Sequence, residues 1–149
     1  SWMHFMNAEV AVGQGDLAKT TAETLTALTQ ALDKADDLGG DALTSAERDA
    51  YVAAFTSDWN AAGPTADKLD MWATEYFISM VGNGIDAYNS YRRNGHPRSL
   101  QPNVEPDPGS FPTTQYYPAN FVNNNKNGSQ RSSKSDRVFW NTSGATNLK

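Results

Sequence analysis

One stretch divides this sequence, Gly82 to Pro102, which reads GNGIDAYNSYRRNGHPRSLQP. Before it, apolar residues recur at helical spacing in runs separated by glycine and proline. After it, prolines at 102, 106, 108, 112 and 118 and the asparagines Asn123, Asn124, Asn125 and Asn127 leave no apolar period longer than a few residues. The chain therefore reads as mainly α, with helices over residues 1–94 and a long irregular, loop-rich region over 95–149.

The dividing stretch has its own local physics. Gly82-Asn83-Gly84 tolerates positive φ, so it stops one helix and turns the chain. A short helix is expected from Ile85 to Arg93, with Ile85, Tyr88 and Arg92 on one side. Arg92 and Arg93 fall in its last turn, where a cation suits the negative end of the helix dipole. Asn94-Gly95 is a left-handed C-cap signal, and Pro97 prevents the helix from resuming. This order puts both guanidinium groups at the edge of the loop region, placed to hold loop carbonyls or carboxylates by forked hydrogen bonds. Arg92, Arg93, Gly95 and Pro97 are accordingly read as a structural motif.

Four helices precede it. The first covers Trp2 to Val12, with Trp2, Phe5, Met6 and Val10 as its apolar face. Gly13-Gln14-Gly15-Asp16 is a tight turn, with Asp16 as N-cap of a second helix, Leu17 to Leu38. Leu17, Leu25, Leu28 and Leu32 repeat along that helix at helical spacing. Two helices joined by so short a loop pack antiparallel, the shape of one tetratricopeptide-like hairpin. Thr44-Ser45-Ala46-Glu47 has the capping-box pattern and opens a third helix, Ser45 to Asn60, with Tyr51, Val52, Phe55 and Trp59 as its stripe. Gly63-Pro64-Thr65 breaks the chain before a fourth, Ala66 to Val81. Its wide face of Leu69, Trp72, Tyr76, Phe77, Met80 and Val81 makes it the most buried.

The last third is poor in apolar residues yet keeps Phe111, Tyr116, Tyr117, Phe121, Phe139 and Trp140. Disordered segments are depleted in aromatics, so this region reads as an ordered wrap whose rings pin it to the helices, with Gly144 to Lys149 frayed. The chain opens directly on Ser1-Trp2-Met3-His4-Phe5-Met6, which reads as the interior of a helix begun upstream and hence as a fragment of a longer protein.

Composition narrows the function classes. The 149 residues suffice for one domain, and a net charge of −5 argues against non-specific nucleic-acid binding. With no cysteine there is no disulfide, thiolate zinc site or cysteine nucleophile. No apolar run approaches the roughly 20 residues that span a bilayer, and no signal peptide is present.

Metal and catalytic motifs fare no better. An EF-hand loop begun at Asp33 puts Ala35 and Leu38 where an oxygen ligand and glycine are needed, and one begun at Asp37 puts Gly39 and Arg48 at ligand positions. His4 and His96 lack ligand spacing, and no nucleophile elbow occurs. Glu105 and Asp107, or Glu75 and Asp86, are carboxylate pairs that nothing singles out. No catalytic residue, metal or cofactor is therefore assigned. Arg92, Arg93 and Arg98 form the one basic cluster, read as helix-end capping in preference to phosphate binding. The sequons at Asn127 and Asn141 are read as turns. Tyr116, Tyr117 and Trp140 are the candidate ligand-binding residues, because aromatic faces stack on sugar rings. The alternative for each ring is packing onto a helix.

Several motifs together resemble a known family. Gly84-Ile85-Asp86-Ala87-Tyr88-Asn89-Ser90-Tyr91-Arg92-Arg93-Asn94-Gly95-His96-Pro97 resembles the G-x-E-A-W-x-x-x-R-R-T-G-x-P stretch of SusD/RagB-like nutrient-binding lipoproteins. Phe5-Met6-Asn7-Ala8-Glu9 with Gly13 and Gly15-Asp16 resembles their first helical hairpin. Tyr116-Tyr117-Pro118 and Val138-Phe139-Trp140-Asn141 resemble their C-terminal segments. Tyr88, Asn94 and Asn141 depart from the usual Trp, Thr and Asp. The resemblance implies the C-terminal part of a helical, non-enzymatic binding protein. Such a protein sits on the outer face of an outer membrane by an N-terminal lipid that this chain would lack. It delivers oligosaccharides or other nutrients to a SusC-like TonB-dependent transporter. The competing expectation is a helical-repeat scaffold that binds only proteins.

Overall fold

The computed structural model describes residues 1–37, 43–63, 65–101, 104 and 112–139. They form six helices: α1 (Trp2–Gly13), α2 (Leu17–Asp37), α3 (Ser45–Ala61), α4 (Thr65–Ser79), α5 (Gly84–Asn94) and α6 (Ala119–Asn124). The fold is mainly helical, and no strand occurs among the described residues. The five expected helices lie within two residues of their expected ends. The sixth, in the loop-rich region, was not expected. The chain divides into two compact units, 1–88 and 89–149, so the division falls inside α5.

In the first unit, α1 and α2 form the expected hairpin. Gly15 turns the chain at φ +75°, and Asp16 Oδ1 accepts the Lys19 N–H at 2.9 Å, which caps α2. The capping box of α3 is present in both directions between Thr44 and Glu47. α3 packs on α2, and α4 packs on both α1 and α2. The core joins Phe5, Phe55, Trp59, Trp72, Tyr76 and Met80 over small residues, among them Ala8, Ala27 and Ala73. Polar edges of the large rings are satisfied. Trp72 Nε1–H donates to the Phe5 carbonyl at 3.1 Å, and Trp59 Nε1–H to Thr21 Oγ1 at 2.9 Å.

Which faces are buried differs from the expectation. On α1 the buried residues are Phe5, Ala8 and Ala11, while Trp2, Met6 and Val10 are exposed. Small side chains let α1 sit close against α2, and the bulkier ones are displaced to the outside. On α2, Thr20 and Thr24 are fully buried, with Leu28, whereas Leu17 is exposed. Each threonine hydroxyl donates at 2.7 Å to the backbone carbonyl four residues back, which leaves its methyl group to face the core. Tyr51 of α3 is exposed. α4 ends at Ser79, and the turn at Gly82 (φ +90°) carries Val81 off the apolar face, where it is 89% exposed. On α5 the buried set is Ala87, Ser90, Tyr91 and Arg92, while Ile85 is 75% exposed.

The second unit is held differently. Gly95 (φ +75°) closes α5, its N–H donating to the Tyr91 carbonyl at 2.8 Å. Asn94 accepts the His96 N–H at 2.8 Å and donates to Ser90 Oγ at 3.1 Å, and the His96–Pro97 peptide is cis. Further on, stretch 112–118 is tied to stretch 130–136. The N–H groups of Thr113 and Thr114 both donate to the Lys134 carbonyl at 2.9 Å. The Gln130 side-chain amide clamps Tyr117, accepting its N–H and donating to its carbonyl, each at 2.9 Å. The turn at Asn125–Gly128 closes by the Gly128 N–H on the Asn125 carbonyl at 2.9 Å, so Asn127 sits in a turn as expected.

Candidate functional site

The Gln130 clamp fixes the backbone of Tyr117, which follows Tyr116 directly in the sequence. Tyr116 is 46% and Tyr117 39% exposed, so neither is consumed as core. The Tyr117 ring lies 5.4 Å from that of Phe121 on α6, tilted by 48°. Phe121 and Phe139 are also exposed, so these rings do not act as buried pins. Trp140, the third candidate, and Phe111 lie outside the described residues.

Each tyrosine ring has a cation over it. Arg131 Cζ is 4.7 Å from the Tyr117 ring centre, and Lys134 Nζ is 5.6 Å from that of Tyr116, both within cation–π range. Among the described residues, neither cation lies in an ion pair with a carboxylate. Stretch 112–139 carries Lys126, Arg131, Lys134 and Arg137 against Asp136 alone. Asp136 Oδ2 is engaged by Ser132 Oγ at 3.0 Å and the Ser133 N–H at 3.2 Å. Sequence reading found the two tyrosines but not Gln130, Arg131 or Lys134. Their only signal was a run of basic residues about fourteen positions downstream, which nothing local links to the rings.

The residues of the Arg92–Pro97 motif differ in exposure. Arg92 is buried, its Nη1 donating to Asn89 Oδ1 at 3.4 Å, while Arg93 is exposed. Only one of the two guanidinium groups is therefore at the surface, because the buried face of α5 takes in Arg92. Gly95 and Pro97 are buried.

The first unit offers a concave place, a cavity of about 280 Å³ between α3 and α4. Tyr51, Phe55 and Asp58 line one side, and Asp70, Met71 and Glu75 the other. Tyr51 Oη donates to Glu75 Oε1 at 2.8 Å. Burial raises the Glu75 carboxyl above the usual range, partly offset by the tyrosine hydrogen bond. Burial first, then Glu75, pushes the Tyr51 hydroxyl up to about 12. Glu75 thus pairs with Tyr51 of α3. His4 Nδ1 lies 2.6 Å from Glu23 Oε2 across the α1–α2 hairpin.

Among the described residues no group of three His, Cys, Asp or Glu side chains is placed to hold a metal ion, and no helix is long and apolar enough to cross a membrane. Set beside known proteins, the chain matches no family model, no curated protein and no solved structure.

Proposed function

We propose that this chain is the ligand-holding part of a nutrient-binding protein of the SusD/RagB kind. It binds an oligosaccharide and does no chemistry on it. In the parent protein it is lipid-anchored at the outer face of an outer membrane, where it serves a SusC-like TonB-dependent transporter. The observation that supports this reading most is that Tyr116 and Tyr117 are both exposed, on a loop braced by the Gln130 clamp. A flat aromatic face held in place stacks on a sugar ring with little ordering left to do on binding. Titration of the chain with a panel of oligosaccharides tests it. Binding that falls about tenfold in Tyr117→Ala, with the helical signal intact, agrees with a stacking contribution of ~1.4 kcal/mol. An array on which no saccharide is retained removes the proposal.

A helical scaffold for protein partners is the second reading. Its observation is the exposed apolar face of α1, made by Trp2, Met3, Met6 and Val10. Co-purification of the parent protein with a large β-barrel favours the transporter-linked reading. Retention of saccharide that is unchanged by Tyr116→Ala and Tyr117→Ala would move the site elsewhere.

A further inference from the structure

We propose that the Tyr116–Tyr117 surface takes an acidic saccharide, one bearing carboxylate or sulfate groups, and discriminates against the neutral form of the same sugar. This rests on the saccharide reading above and names the ligand class for that site.

The argument is electrostatic. Residues 1–88 contain 4 Lys and Arg against 14 Asp and Glu, a net −10. Residues 89–149 contain 8 against 3, a net +5. The chain's overall acidity therefore hides a basic second unit. Within that unit, the Arg131 and Lys134 charges stand at the two exposed rings with no ion-paired carboxylate among the described residues. Asp136, the one carboxylate of 112–139, is already held by Ser132 and Ser133. A cation beside an aromatic face keeps donor capacity in reserve, since the ring accepts no directed N–H···O bond from it. An anionic group on a sugar held at either ring would meet that ring's own cation, Arg131 at Tyr117 or Lys134 at Tyr116, at close range. A neutral sugar would desolvate the same cations and return less.

An exposed ring paired with a cation also differs from a plain basic patch. Charge alone attracts any polyanion, and its effect fades with salt. Stacking requires a ring in the ligand and survives salt.

The test is titration of the chain with tetragalacturonate and with its fully methyl-esterified form, which keeps the rings and removes the charges. Polyglutamate serves as a ringless polyanion. The exposed Lys134 and the half-buried Arg131 are expected to favour the acid form by about fivefold to tenfold at low salt. Arg131→Gln and Lys134→Gln should each reduce that preference, and Lys134→Arg should keep it. Circular dichroism and amide exchange at Thr113 and Tyr117 confirm that each variant keeps the loop. Equal binding of acid and ester overturns the acidic preference and leaves the saccharide reading standing. Polyglutamate binding as tightly as tetragalacturonate overturns it in favour of charge alone. Binding of none of the three overturns the acidic preference, and the saccharide reading falls with it only if the oligosaccharide panel is not retained either.

Discussion

The two units of this chain are stabilised by different physics. Residues 1–88 bury aromatic rings from three helices over small residues of α1, α2 and α4, and their surface is acidic. In residues 89–149 the described loops expose most of their rings, are tied by side-chain-to-backbone hydrogen bonds, and are basic. The first kind of order comes from area removed from water and is cooperative over many residues. The second comes from individual hydrogen bonds, each with a small net contribution and a local effect. A packed unit tolerates surface change. A clamped loop instead holds its exposed groups in place at the positions of a few polar side chains.

The sharpest way to break this contrast is to damage the packed unit. Trp72 is fully buried and its indole N–H is bonded to Phe5. Trp72→Ala should lose about 3–5 kcal/mol, measured by denaturant titration of the helical signal. A loss below about 1 kcal/mol would mean that Trp72 is not central to the core. Trp72→Phe keeps much of the ring and is expected to fall well short of the alanine variant.

Gln130→Ala is the matching operation on the second unit. It removes both bonds that clamp Tyr117, and the site is exposed, so the expected loss is about 1 kcal/mol. The effect should be confined in space. Amide exchange at Tyr117, Thr113 and Thr114 should speed up while the α1 and α2 amides stay protected. A fall in helical signal comparable to that of Trp72→Ala would erase the distinction between the units.

The same contrast decides what could be read from the sequence. Helix positions were legible because Gly15, Thr44, Glu47, Gly82 and Gly95 act through local rules of turning and capping. Helix faces were less so. Thr20 and Thr24 count as polar in any periodicity, yet each hides its hydroxyl in its own helix and presents a methyl group. Met6 and Val10 count as apolar, yet the close approach of α1 to α2 uses Ala8 and Ala11. In the second unit, α6 has six residues after Pro118, too few to show a period. Tyr116 and Tyr117 were visible as aromatics in a loop. Their exposure and their cation neighbours follow from pairing of 112–118 with 130–136, and no local pattern encodes such pairing.

The smallest expected effect lies in the packed unit at Glu75, a carboxylate raised by burial. Glu75 sits between α3 and α4 with the Tyr51 hydroxyl on it, and burial favours its protonated form. The folded-state value is above the unfolded one, so the native state holds the proton more tightly than the unfolded chain does. Stability from this group is therefore greatest below the unfolded value, near 4.5, and declines as pH rises through the folded value. Glu23 and Glu47 act in the opposite sense. Hydrogen bonds from His4 and Thr44 lower them, so their contribution is present above about 4.5 and is lost as pH falls. Glu75→Gln removes the charge and keeps a carbonyl to accept the Tyr51 hydroxyl. At pH 7 the variant should be more stable by less than about 1 kcal/mol, because solvent screens a partly exposed carboxyl. At pH 4, where the native carboxyl is already neutral, the advantage should vanish. A thermal denaturation pair at the two pH values measures it. An equal gain at both would show that the amide improves packing, and a loss at pH 7 would show that the ionised carboxylate holds the groove together.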